Sequence, residues 1–351
     1  MLGILRTILS LFVFSSHLPQ VGLTFHIGVL AVTIFYFISG MLMEESFQRF
    51  RASGLMAAPK FYLDRFMRIY PAFLVVTLLT AFIIRHGHDQ LLSVLYPAAD
   101  RQAILANFNL FNLNWHAVAI VNPVWSLAAE AQFYVLLPLL AVLPFPLFAL
   151  AMASSLAFHV YGWHFMDLPH ADYWSYRDIA GMLFVFCMGM CFARRSDKRF
   201  AYLLTGTIAL QLGLLFFVYP LTKPYANSFL LVIILGTLIA TPVVDFARRT
   251  APAWLQPIDR FVGNLCYPIF LVHFPAMYCT DLLLGGGPAP RRLWYVTAIA
   301  LCGLFALALH FLVQLPSEKL RYALRGFGKA RAALPPRSST LQSDQPPPAA
   351  A

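Results

Sequence analysis

The chain has 351 residues, 60% of them hydrophobic and only 11% charged, with a mean hydropathy of +0.70. A water-soluble domain carries roughly 45–50% apolar and 25% charged residues, so this composition excludes a soluble enzyme and makes the bilayer the solvent for most of the chain. The net charge of +10 needs no nucleic-acid partner, because the placement of the basic residues accounts for it.

Open strand edges are not tolerated in lipid, so spans are helices or a closed barrel. The apolar runs here are long and unbroken rather than alternating with a period of two, which selects helices. The expected fold is an all-α, polytopic membrane bundle of about ten spans, near 4–20, 25–43, 67–85, 125–143, 145–161, 178–193, 200–218, 227–246, 260–281 and 293–314. Alternating the connections between two sides puts nineteen of the 25 Lys and Arg on one side. The positive-inside rule then predicts both termini in the cytoplasm. The N-terminus has one basic residue and an apolar core but no small-residue cleavage site, so it reads as an uncleaved first helix.

In the first segment, Arg6 and His17 lie eleven residues apart. That is about three helical turns, so both share one face, roughly 16 Å apart along the axis. The second segment carries Ser39-Gly40, small residues that permit close helix approach or leave a channel. At the start of the third, Arg65 and Arg68 stand one turn apart. Guanidinium groups bind phosphate bidentately, but arginines at a cytoplasmic boundary are also ordinary topology signals. The connection 86–124, expected outside, contains Trp115, Asn107, Asn109, Asn112 and Asn114. It is long for a structureless loop and reads equally as a binding lid or as a partly helical surface loop.

The fourth segment opens on Trp125-Ser126-Leu127 and carries Glu130 and Tyr134. An acidic side chain at membrane depth costs about 3 kcal/mol on insertion scales and generally faces a partner or a watery cavity. This segment runs from outside to inside, so His17 and Glu130 are expected at similar depth. A carboxylate beside an imidazole fixes its tautomer and raises its basicity. His273, late in the chain, is a second intramembrane histidine, either functional or a hydrogen-bonded core residue.

Other features read as structural. Cys187 and Cys191, one helical turn apart, are small buried residues rather than a metal site. His164, Asp167, His170 and Asp172 in the connection 162–177 are solvated polar groups, and no zinc-like Cys/His spacing occurs. Gly285-Gly286-Gly287 is a turn, since no strand precedes it. The stretch 321–351 is basic and then rich in Pro, Ser and Ala, and reads as a disordered cytoplasmic tail.

Taken in order, these pieces resemble the membrane acyltransferase 3 family, which O-acylates surface polysaccharides and related glycans. The resemblance rests on Leu5-Arg6 through His17, Phe35-Tyr36 with Ser39-Gly40, and Arg65, Arg68 and Pro71. It continues through Trp125-Ser126-Leu127 with Glu130 and Phe133-Tyr134, then Tyr267 and His273-Phe274-Pro275. The Trp-Ser-Leu motif is the most specific, and residues 1–320 form the matching domain. Three positions depart from the family pattern. Leu2-Gly3-Ile4-Leu5 lacks an acidic residue, Thr33 stands where one is common, and Gln314 stands where a glutamate is frequent.

The resemblance implies an enzyme, an O-acetyltransferase of the bacterial cytoplasmic membrane. It would use acyl-CoA, acetyl-CoA foremost, and a carbohydrate or lipid-linked glycan acceptor, with no metal or prosthetic group. Arg6, Arg65 and Arg68 would hold the donor phosphates. His17 would act as general base or acyl carrier and Glu130 would orient it. Ser39, Trp125, Ser126, Tyr134 and His273 complete the candidate site. The alternatives are a transporter or flippase using an intramembrane His/Glu relay, and an inactive binding protein. The sequence is silent on oligomeric state.

Overall fold

The computed structural model describes residues 1–18, 26–86, 107–115, 120–121, 124–217, 224–249, 252–284 and 291–324. Much of the connection 86–124, the Gly285–Gly287 turn and the tail beyond 324 therefore lie outside the described residues. Among those residues every regular element is helical. The long helices are α1 (Leu2–Ser16), α2 (Ile27–Phe50), α3 (Ala57–His86), α4 (Val124–Val142), α5 (Phe145–Phe165) and α6 (Ile179–Ala193). They continue with α7 (Lys198–Phe217), α8 (Pro224–Arg248), α9 (Leu255–Leu283), α10 (Arg291–Leu309) and the shorter α11 (Leu315–Leu324). Among the described residues, eight continuous helical runs are long and apolar enough to cross a membrane. One of them, Ile27–Ile84, contains both α2 and α3, and α1 is apolar but shorter.

The break inside that run has a local cause. Gly54 sits at φ 58°, ψ −130°, a conformation that a Cβ disfavours strongly. The chain reverses there, and α3 packs back along α2. Elsewhere the sequence reading placed a polar loop at 162–177. Instead, α5 continues to Phe165, and a single turn, Leu168–Ala171, and a π-helical turn, Asp172–Arg177, follow. In a bilayer, backbone groups near helix ends are best satisfied by continuing helical bonding.

Helix α2 is the hub. It packs against α1, α3, α4, α6 and α8 and is buried on nearly every face, as an all-round apolar helix must be. Its contact with α6 is set by two glycines facing each other's backbones. A Cβ on Gly40 would lie 2.0 Å from the Phe186 carbonyl oxygen, and one on Gly189 would lie 2.0 Å from that of Phe37. Helix association in lipid relies on such close approach. A Cβ on Gly263 would likewise meet Gly3 Cα at 2.5 Å, joining α9 to α1. Asp259 on α9 then accepts a hydrogen bond from the Ile4 N–H at 2.8 Å, satisfying an otherwise free amide of the first turn.

Large apolar side chains such as Leu150, Phe216, Val296 and Leu312 are exposed on α5, α7, α10 and the turn after it, where lipid replaces water. At one end of the bundle the charged residues pair. Arg194 bonds Glu44 at 2.7 Å, Arg248 pairs with Glu45, and Arg195 with Asp245 at 3.2 Å. Asp64 takes both its neighbour Arg65 and Arg321 of α11, the latter at 3.5 Å.

Candidate functional site

Helices α1, α2, α3, α4 and α9 enclose a cavity of about 100 Å³. Arg6, Ser39, Arg68, Ser126, Glu130 and Tyr134 all line it, together with Cys266 and Tyr267. Glu130 is the acidic group at its centre. Its Oε1 accepts hydrogen bonds from Ser39 Oγ at 2.5 Å and from Tyr134 OH at 2.5 Å. The first bond crosses from α2 to α4. The second runs within α4 at the i,i+4 spacing that places side chains on one face. Tyr36 OH donates to the Ser126 carbonyl at 3.4 Å, and Tyr267 OH donates to that of Ile69 at 2.9 Å.

Arg6 and Arg68 bring two guanidinium groups to this cavity. Among the described residues neither has a hydrogen-bonding or ion-pairing partner for its guanidinium, in contrast to Arg65, Arg194 and Arg248. Fixed positive charge facing an enclosed space in a low-dielectric bundle favours an anionic ligand.

Arg65 is used differently. It is buried, pairs with Asp64, donates to Ser46 Oγ at 3.2 Å and lies 5.6 Å over the Phe61 ring. It borders a separate, largely apolar groove of about 690 Å³ between α3 and α4, which shares Ile69 and Tyr134 with the inner cavity. Three residues along a helix turn a side chain through about 300°, so the two arginines diverge by roughly 60°. That offset suffices to put Arg68 in the cavity and Arg65 in the ionic cluster beside it.

His17 stands at the C-terminal cap of α1. It is exposed at the rim and is not among the residues lining the cavity around Glu130. Its ring stacks on His273, with centroids 5.6 Å apart and planes at 25°, and meets Phe274 edge-on at 5.0 Å. His273 is fully buried. Its Nδ1 faces the Ile269 carbonyl at 3.3 Å, while Nε2 has no hydrogen-bond partner among the described residues. No hydrogen bond or ion pair joins His17 to Glu130 among the described residues. Residues preceding α4 fold back into the bundle, with Asn107, Leu110, Leu113 and Asn114 buried. Asn114 is tied to Gln132 of α4 at 2.9 Å and to the Arg177 carbonyl at 3.1 Å. Glu130 meets Ser39, midway along α2.

Trp125 packs edge-on to Tyr176 at 5.0 Å and carries the Arg177 guanidinium 5.1 Å over its ring, so it anchors the π-helical turn to α4. Among the described residues no group of three His, Cys, Asp or Glu side chains comes together as a metal ion would require.

This constellation belongs with a sequence match. A family model described as an acyltransferase domain fits residues 2–313. The chain belongs to the acyltransferase 3 family. A Staphylococcus aureus (strain COL) protein named “Putative O-acetyltransferase” is 24% identical over 349 residues, 90% of this chain and 56% of that protein. The chain thus spans little more than half of that relative. An uncharacterized Aquifex aeolicus protein is 27% identical over 168 residues, covering 46% of this chain and 73% of its own length. An uncharacterized Haemophilus influenzae protein is 32% identical over 126 residues, 33% of this chain and 50% of that one. No solved structure matches the chain. Six of the candidate residues expected from the sequence, Arg6, Ser39, Arg68, Ser126, Glu130 and Tyr134, share the cavity. The partnership of Asp64 with Arg321 was missed, because nothing in the linear order marks two charges so far apart as neighbours.

Proposed function

We propose that the protein moves an acyl group, acetyl foremost, from cytoplasmic acyl-CoA to a hydroxyl of a carbohydrate or lipid-linked glycan at a bacterial cytoplasmic membrane. The observation that carries this reading is the pair Arg6 and Arg68, which form no ion pair among the described residues and line the same cavity as Glu130. In an acyltransferase, the substrate with phosphates to fill such a place is the donor. The name of the Staphylococcus aureus relatives supports acetyl as the group and oxygen as its acceptor.

In this reading Arg6 and Arg68 neutralise donor phosphate, and Arg65 holds the α3 turn that presents Arg68. Glu130, fixed by Ser39 and Tyr134, balances the arginines. His17, backed by His273, takes the proton of the acceptor hydroxyl as its oxygen attacks the thioester carbonyl. The C–O bond forms, the C–S bond breaks, and the sulfur leaves as a thiolate that recovers the proton. General-base assistance of this kind contributes roughly 10²–10⁴-fold.

The test is acyl transfer by purified protein in lipid nanodiscs, with labelled acetyl-CoA and a panel of carbohydrate and lipid-linked acceptors. The wild type is expected to label an acceptor hydroxyl, and His17→Ala to lose transfer by about 10²–10⁴-fold while inserting normally. Solute or lipid translocation in proteoliposomes without acyl transfer would replace this reading with a transporter.

A further inference from the structure

A third cavity opens at the end of the bundle where the charged residues pair. It lies between the first turns of α1 and α9, has a volume of about 390 Å³, and is lined by Gly3, Arg6, Gln256, Asp259, Arg260 and Asn264. Arg6 also lines the inner cavity, so one guanidinium forms the boundary between an outer polar cleft and the inner chamber. The sequence alone accounts for Arg260 as a topology signal.

Resting on the acyl-CoA reading above, we propose that this cleft binds the nucleotide-phosphate end of the thioester donor, with Arg260 as a further phosphate-binding residue. Size separates the two spaces. Small-molecule sites run to roughly 300–1,000 Å³, and the outer cleft at about 390 Å³ falls in that range. The inner cavity at about 100 Å³ is too small for the nucleotide. Charge agrees. Arg260 is exposed and has no hydrogen-bonding or ion-pairing partner among the described residues, and Arg6 stands at the inner wall. The opposing carboxylate, Asp259, is turned towards the first turn of α1, where it accepts the Ile4 N–H. Gln256 and Asn264 add amide groups that suit ribose hydroxyls or a base edge. The donor would lie along α1 with its nucleotide outside, its pyrophosphate between Arg6 and Arg68, and its acyl group beyond them inside the bundle.

The experiment compares acetyl-CoA with S-acetyl-pantetheine, which has the same acyl-thioester end but neither phosphates nor nucleotide. Transfer from each donor, and direct binding of acetyl-CoA, are measured for wild type, Arg260→Ala, Asn264→Ala and the control Arg249→Ala. Losing one charge-assisted contact is expected to cut the preference for acetyl-CoA over S-acetyl-pantetheine by about ten- to a hundredfold in Arg260→Ala, with the control unchanged. An unchanged preference in Arg260→Ala, alongside normal acetyl-CoA use, overturns the cleft assignment and leaves the donor reading standing. Equal losses on both donors would make Arg260 a structural residue and also overturn it. Absence of acetyl-CoA binding by the wild type removes both readings.

Discussion

Ser39 on α2 donates a hydrogen bond to Glu130 on α4 at 2.5 Å, joining the hub helix to the acidic group of the inner cavity. Tyr134 OH approaches the same carboxylate oxygen at 2.5 Å. Glu130 is thus held by hydroxyls rather than by histidine, and its charge faces the arginines. Ser39→Ala removes one of the two hydroxyls and is expected to lower turnover about tenfold or more, the effect of losing a hydrogen bond to a charged group. Glu130→Gln should lower it further, because the cavity then keeps two unopposed guanidinium groups. Single-turnover acyl transfer measures both, and a Ser39→Ala rate equal to wild type would separate Ser39 from the chemistry.

The glycine contact between α2 and α6 leaves no room for a methyl group. Gly40→Ala and Gly189→Ala each place a Cβ 2.0 Å from a carbonyl oxygen. Overpacking of this kind costs about 1–3 kcal/mol, occasionally more, so both variants should melt at lower temperature in detergent. Gly206 and Gly213 on α7 meet nothing within 4 Å. Alanine at either should hold or raise the melting temperature, since glycine in a helix interior is about 0.5–1 kcal/mol worse than alanine. The same loss at all four positions would contradict this packing.

The ionic cluster of Asp64, Arg65 and Arg321 is buried, with Asp64 at 2% exposure. Removing one partner of a buried pair costs roughly 3–5 kcal/mol, because the other charge is left uncompensated. Asp64→Asn strands two arginines and should be the most damaging single change, ahead of Arg321→Gln. The double variant should cost less than the sum of the singles in a thermal double-mutant cycle. Strict additivity would show that α11 does not couple to α3 through this contact.

Sidedness has a direct test. Nineteen of the 25 basic residues fall on the side assigned to the cytoplasm, and the paired charges of α2, α3, α6 and α8 gather at one end. Leu55, 99% exposed beside the Gly54 turn, and His170, exposed between α5 and α6, lie at opposite ends in this arrangement. Leu55→Cys should react with impermeant thiol reagents only in inverted vesicles, and His170→Cys only in intact cells. The opposite pattern would reverse the topology and move the donor site to the other face.

The all-helical bundle was legible in the sequence, because uncharged apolar runs in lipid have no other way to satisfy their backbone groups. So were six polar residues of the inner cavity. An arginine, a serine or a glutamate inside an apolar segment stands out against its surroundings, and burying it without purpose is costly. Linear order could not say which of those residues meet. Neighbours on one helix face are separated by a fixed angle, but partners on different helices depend on how closely the helices approach and how far each is displaced along its axis. The approach of α6 to Gly40 and the inward fold of residues 107–115 accompany the meeting of Glu130 with Ser39. The roughly 60° between Arg65 and Arg68 decided which of them faces the cavity. The stacking of His17 on His273, the hold of Arg321 on Asp64 and the cleft shared by Arg6 and Arg260 arise only when the ends of the chain pack together, which no local pattern encodes.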